Sequence, residues 1–153
     1  MRTAIKSYKL LIRYATFLCP IVLLLFRLAW GYELIQSGYA HLTHIDQTAQ
    51  FFQSLNIPHP RANVIISAST ELVGGMLLIP GLAARLIALP LIFNFIVALA
   101  TASRPALAHI FTAPEGVIDD TAFPFLMTAL LILAFGPGPI SIDGLLKRTL
   151  IKK

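Results

Sequence analysis

Polar and apolar positions alternate on two scales along this chain. On the long scale, four apolar stretches are each bounded by turn-forming residues, at about 20–40, 62–79, 83–102 and 121–135. Each approaches the ~20 residues that cross ~30 Å of hydrocarbon at ~1.5 Å per residue. Pro20 opens the first, where a missing N–H does no harm in the first turn. Pro80-Gly81 closes the second, Ser103-Arg104-Pro105 follows the third, and Gly136-Pro137-Gly138-Pro139 ends the fourth. The few residues between the second and third predict a tight antiparallel hairpin.

On the short scale, both ends of the chain repeat with helical spacing. Ala4, Ile5, Tyr8, Leu11, Ile12 and Ala15 recur between basic residues in an arm over 1–18. Ile142, Leu145, Leu146 and Leu150 do so in a tail over 141–153, with Ser141 or Asp143 as its cap. These patterns predict amphipathic interfacial helices resting on anionic headgroups. Phe51 to Pro58 predicts a short helix on the opposite interface. The expected fold is therefore all-α: one membrane domain over 1–153, an antiparallel four-transmembrane-helix bundle with amphipathic N- and C-terminal helices.

Composition supports lipid as the solvent. Of the 153 residues, 57% are hydrophobic and 12% charged, with a mean hydropathy of +0.78. A soluble domain this apolar could not cover its core with polar surface. The net charge of +5 does not form a phosphate-binding face, so nucleic acid is not an expected partner. The basic residues mark topology instead. Arg2, Lys6, Lys9, Arg13, Arg85, Lys147, Arg148, Lys152 and Lys153 fall on one side, against Arg61 and Arg104 on the other. By the positive-inside rule both termini are cytoplasmic, in a multi-pass protein of the cell's inner membrane. Met1 to Trp30 has no Ala-x-Ala-like cleavage site and is interrupted by Arg27, so the N-terminus is read as retained.

Candidate chemistry lies where charge enters the apolar stretches, because an intramembrane charge is costly without a partner or water. Arg27 lies ~10 Å above the start of the first span, and Glu71 and Asn94 reckon to a similar depth in the second and third. Arg27, Gly31, Leu34, Gly38 and His41 share one helical stripe, and Glu71, Gly75 and Leu78 another. The expectation is a polar interior of Arg27, Glu71 and Asn94, with Arg27 and Glu71 as an ion pair. Gly31, Gly38, Gly74 and Gly75 would let the helices approach closely. Two readings stay open for the pair: it sets helix register, or it lines a site for a quinone headgroup or a proton relay. Glu33 is rotated ~120° away, toward another helix or the outer water. His41 and His44, three apart, are a weak metal signal without an HExxH or Cys/His cluster, so no metal site is assigned. Cys19, the one cysteine, has no internal disulfide partner and no CxxC mate.

Taken in order, Arg27-Leu-Ala-Trp-Gly31, Ser37-Gly38-Tyr-Ala-His41-Leu42, Phe52 to Pro58, Glu71-Leu-Val-Gly74-Gly75, Leu78-Ile-Pro-Gly81, Arg85, and Gly136-Pro137-Gly138 with Ser141 and Asp143 form a set. This order and spacing resembles the DoxX family of small four-helix membrane proteins, over roughly Phe26 to Asp143. His41 stands where many members carry lysine. The resemblance implies a membrane protein linked to redox systems. Some relatives are the membrane subunit of a thiosulfate:quinone oxidoreductase, and others accompany enzymes of thiol or oxidative stress. The leading expectation is a membrane subunit of a quinone-linked oxidoreductase, with no intrinsic cofactor beyond a quinone and with a protein partner carrying the redox centre. A non-catalytic anchor or scaffold for a soluble enzyme is the alternative. A small-solute or lipid transporter comes third, weakened by the lack of duplicated broken helices. Membrane lipid is a partner in every case, and self-association stays open.

Overall fold

The computed structural model describes the backbone of residues 2–151 and the side chains of 9–149. The interfacial faces expected from Ala4, Ile5 and Tyr8, and from Leu150, lie outside the described side chains. Eight helices follow in order: α1 (Arg2–Thr43), α2 (Ile45–Ser54), α3 (Pro60–Leu78), α4 (Ala84–Thr101), α5 (Arg104–Ala108), α6 (Glu115–Ile118), α7 (Ala122–Phe135) and α8 (Ile142–Ile151). No strand occurs among the described residues.

The first helix departs from the sequence expectation. Pro20 does not begin it; α1 runs through Pro20 as a single helix of 42 residues. A proline inside a helix forfeits one backbone hydrogen bond, but no turn-forming residue flanks this one. Phe17, Leu18, Ile21 and Val22 continue the apolar helical pattern on both sides, so the interfacial arm and the span are one element.

The four long helices make an antiparallel bundle in which α3 packs back along α1, α4 follows α3 as a hairpin, and α7 closes against α4 and α1. Ala84, Ala88, Leu91, Phe95 and Leu99 form a buried helical stripe on α4 that meets Ala122, Ala129 and Ile132 of α7. The Phe95 and Phe125 rings stack at 5.1 Å, and Trp30 meets Phe125 edge-on at 5.3 Å, joining α1 to that core. Among the described residues, two helices have the length and apolar composition to cross a membrane, Lys9–Thr43 and Ala84–Thr101; α7 is apolar but shorter.

The two ends of the bundle are built differently. At the α3–α4 end, Gly81 turns with φ +69 and Ala83 with φ +48. The start of α8 docks on this turn, Ile142 N–H donating to Pro80 O at 3.0 Å and Asp143 N–H to Gly81 O at 3.0 Å. Ser141 caps α8 by accepting the Gly144 N–H at 3.0 Å. At the opposite end, α2 begins earlier than Phe51 and lays Ala49 against the bundle. There Asp120 accepts from Ser103 Oγ and from the Ala122 N–H, which ties the α4–α5 junction to the first turn of α7.

Candidate functional site

Glycines set the register on which the site depends. A Cβ on Gly38 would lie 2.6 Å from Ala68 O, and one on Gly75 2.5 Å from Gly31 O. One on Gly31 would lie 2.8 Å from Ile79 Cγ1. The backbones of α1 and α3 therefore touch along Gly31, Gly38 and Gly75, as small-residue helix pairs do. Gly74 faces the other way, with Leu91 of α4 where its Cβ would be.

Because the two helices are antiparallel, each step up α1 is a step back along α3. Gly38 opposite Ala68 and Leu72 puts Ser37 and His41 beside Glu71. Gly31 opposite Gly75 and Ile79 puts Arg27, one turn earlier, beside Gly81. The expected Arg27–Glu71 ion pair is not made. Depth had been reckoned from Pro20 as a helix start, and α1 has no start there.

Glu71 is 5% exposed and is the centre of a polar cluster. Its Oε2 accepts from Ser37 Oγ at 2.8 Å and lies 3.4 Å from His41 Nδ1. Its Oε1 accepts from Asn94 Nδ2 at 3.0 Å and faces Ser67 Oγ at 3.5 Å. Three helices thus converge on one carboxylate, and Asn94 stands next to Glu71 as part of that interior. The His41 side chain is 41% exposed, so the cluster grades from a buried acid to a half-exposed imidazole. Ser37 and His41 were not in the expected interior. The signal was their i, i+4 spacing on the face that carries Gly38.

Arg27 belongs to a second, separate arrangement. It is 1% exposed, and its two terminal nitrogens donate to Pro137 O at 2.7 Å and Ile140 O at 2.6 Å. The guanidinium occupies the space beside Gly81 that a side chain there would need. Asp143 braces the same turn, accepting from the N–H groups of Ala83 at 2.8 Å and Ala84 at 2.9 Å at the start of α4. Arg27 and Asp143 together fasten the loop after α7 and the tail helix to the α3–α4 turn.

The remaining candidates separate. His44 turns back to its own helix, Nδ1 3.0 Å from Ala40 O, so it does not join His41 over a common point. No group of three His, Cys, Asp or Glu converges among the described residues. Cys19 is exposed on α1 and lines an apolar groove against α7. Glu33 is exposed on the outward side of α1 and has no hydrogen-bond or ion-pair partner among the described residues. Its neighbours on that face, Tyr32 and Gln36, bond to each other at 2.7 Å.

A helical bundle with apolar outer faces and, among the described residues, a buried carboxylate cluster between its helices is the form expected of a small helical membrane protein. The DoxX family model matches residues 22–104, more than half of the chain, and the chain belongs to the DoxX family. The matched region contains the whole Glu71 cluster and ends before α7, α8 and the loop between them, whose Pro137 and Ile140 carbonyls hold Arg27. No curated protein and no solved structure matches the chain.

Proposed function

We propose that this chain is the integral membrane subunit of a quinone-linked oxidoreductase serving sulfur, thiol or oxidative-stress chemistry, in which the Glu71 cluster handles the proton that accompanies electron transfer. In this reading α1, α3, α4 and α7 cross the inner membrane of the cell. By the positive-inside rule, the lysines and arginines around the α3–α4 end favour a cytoplasmic location for that end and for both termini. The Glu71 cluster then lies toward the outer half of the bilayer.

The observation that carries the reading is the gradient from buried Glu71 to half-exposed His41. A carboxylate that accepts from Ser37 and Asn94 is held in place and oriented. An imidazole beside it offers a route for a proton to the outer water. The donor set also fits a quinone carbonyl: Asn94 spends one amide hydrogen on Glu71 and keeps a second, and a protonated His41, its Nδ1–H facing Glu71, would offer its Nε2–H. Bound there, the quinone supplies two-electron, two-proton chemistry, with the electrons coming from a partner's redox centre. Asn94 and His41 would hold the carbonyl, and Glu71 would take up or yield one of the two protons, the other exchanging with the outer water through His41.

The test is purification in mild detergent, with mass spectrometry of co-purifying quinone and protein, for the native chain and for Glu71→Gln. Retained quinone and quinol turnover in the native complex, with turnover lost in a folded Glu71→Gln, support the reading. Normal turnover in that variant overturns it.

One observation favours a second reading, a scaffold for a partner. Glu33 lies on the outward face of a spanning helix, where an unpaired carboxyl costs roughly 2.5–3.5 kcal/mol at mid-bilayer depth. A partner helix offering a cation or a hydrogen-bond donor would remove that cost.

A further inference from the structure

Between the start of α4, the loop after α7 and the first turns of α8 lies a recess of about 910 Å³. Arg85, Lys147 and Arg148 line it, and Leu86 and Phe135 form its apolar wall. The one acid on its wall is Asp143, whose two oxygens are both engaged by the amides of Ala83 and Ala84. None of the three cations has an ion-pair partner among the described residues. Arg85 makes one hydrogen bond, to Ala134 O at 3.1 Å, which fixes its guanidinium at the mouth of the recess. Three positive charges without counter-charge thus face one concave space.

The apolar side of the recess distinguishes its ligand. Phe135 is 68% exposed and also lines the groove of about 280 Å³ between α1 and α7, whose walls are almost entirely hydrocarbon. A free phosphate ion has no use for such a wall, whereas a phosphate carrying acyl chains does. Leu145 and Leu146 expose further apolar surface on α8 beside the basic pair. Basic recesses between helices at a membrane surface suit anionic headgroups, and an apolar groove beside one suits the attached chain.

We infer that this recess binds an anionic phospholipid, its phosphate among Arg85, Lys147 and Arg148 and an acyl chain running over Phe135 into the α1–α7 groove. The site requires the bundle to lie in a bilayer and is independent of the redox reading. It also gives the α7–α8 loop and α8 a role besides holding Arg27, since a bound lipid would fasten α8 to α4 and α7.

Native mass spectrometry of the full chain, released from nanodiscs of phosphatidylglycerol and phosphatidylcholine in equal parts, tests this. The expected result is retained phosphatidylglycerol in clear excess over phosphatidylcholine. In Lys147→Gln with Arg148→Gln, two exposed side chains without hydrogen bonds, that preference should fall about tenfold. A control that removes two charges elsewhere, Lys9→Gln with Arg61→Gln, should leave it unchanged. Equal loss in both pairs means a diffuse charge effect and overturns the site. Retention of both lipids alike by the native chain overturns it too. Millimolar glycerol phosphate should fail to displace the lipid; displacement would make the recess a site for free phosphate and reject the lipid assignment. Leu131→Trp, which fills the groove without changing charge, should weaken retention as well, and undiminished retention there would refute the acyl-chain path.

Discussion

His41 and Glu71 meet with Nδ1 3.4 Å from Oε2, one residue near the end of α1 and the other buried in the middle of α3. The contact exists because Gly38 lets the two backbones touch one turn below it. It makes the α1–α3 packing and the chemistry of the carboxylate a single feature. Leucine at Gly38 should therefore damage both, separating the helices and scattering the donors around Glu71. Gly116, whose added Cβ would come no closer than 3.4 Å to Ala106, is the matched control. Thermal unfolding in detergent should show Gly38→Leu strongly destabilised and Gly116→Ala within about 0.5 kcal/mol of native.

Replacing the carboxylate separates its structural from its chemical share. Glu71→Leu leaves Ser37 and Asn94 without their acceptor and should cost about 1–3 kcal/mol. Glu71→Gln keeps the shape and one acceptor oxygen and should unfold close to native. Quinol turnover, measured on the assembled complex, should be lost in both. A Gln variant as unstable as the Leu variant would show that the charge itself holds the helices together.

How much of this was legible in the sequence can be read from particular residues. The ends of α3, α4 and α7 fall within a residue or two of the positions marked by Pro80-Gly81, Ser103 and Gly136, because proline and glycine there act locally. A lone acid in an apolar helix identifies Glu71, and depth counted from the ends of the two apolar stretches sets Asn94 level with it. Arg27 was misassigned for two reasons. A helix that continues through Pro20 gives no local sign of doing so, which shifted the depth reckoning. Its real acceptors are the backbone carbonyls of Pro137 and Ile140, more than a hundred positions away, and carbonyls carry no residue identity to search for. Side-chain charge complementarity points to Glu71 because the depth count sets that acid level with Arg27.

The separation of Arg27 from Glu71 is measurable. Arg27→Met removes two charge-assisted bonds at about 1.5–3 kcal/mol each, so it should destabilise the chain and free the α7–α8 loop. Combined with Glu71→Gln, the effects should add to within about 0.5 kcal/mol, as for sites that share no partner. Recovery of stability in the double variant would mean that the two charges do pair. Arg27→Lys should rescue little, since a single ammonium does not reproduce the two-pronged contact with both carbonyls.

The proposed topology rests on the distribution of lysine and arginine. With Cys19 changed to serine, single cysteines at Gln53 on α2 and Thr149 on α8 are both exposed and report on opposite ends of the bundle. A membrane-impermeant maleimide added to intact cells should label the Gln53→Cys chain and not the Thr149→Cys chain, and lysis should make both reactive. The reverse pattern would invert the bundle and put the Glu71 cluster on the cytoplasmic half. Cys19→Ser by itself should leave stability unchanged, because the thiol is exposed and has no hydrogen-bond or disulfide partner among the described residues.

Glu33 decides between a chain that works with a partner and one that works alone. It is exposed on α1, has no partner among the described residues, and sits beside the Tyr32–Gln36 pair, on a helical face that also exposes Val22, Phe26 and Ala29. Lipid offers a carboxyl nothing, so in an isolated chain Glu33→Leu should be neutral or stabilising. If a partner helix supplies a cation or donor at that depth, the same substitution leaves the partner's group unpaired in hydrocarbon. The partner should then be lost from the purified complex while the isolated chain unfolds at or above its native temperature. Glu33→Gln keeps a hydrogen-bonding group and should retain a partner that offers a neutral donor, but lose one that offers a full charge. A complex that survives Glu33→Leu intact would remove the outward face of α1 from the interface, and with it the observation that favours a scaffold.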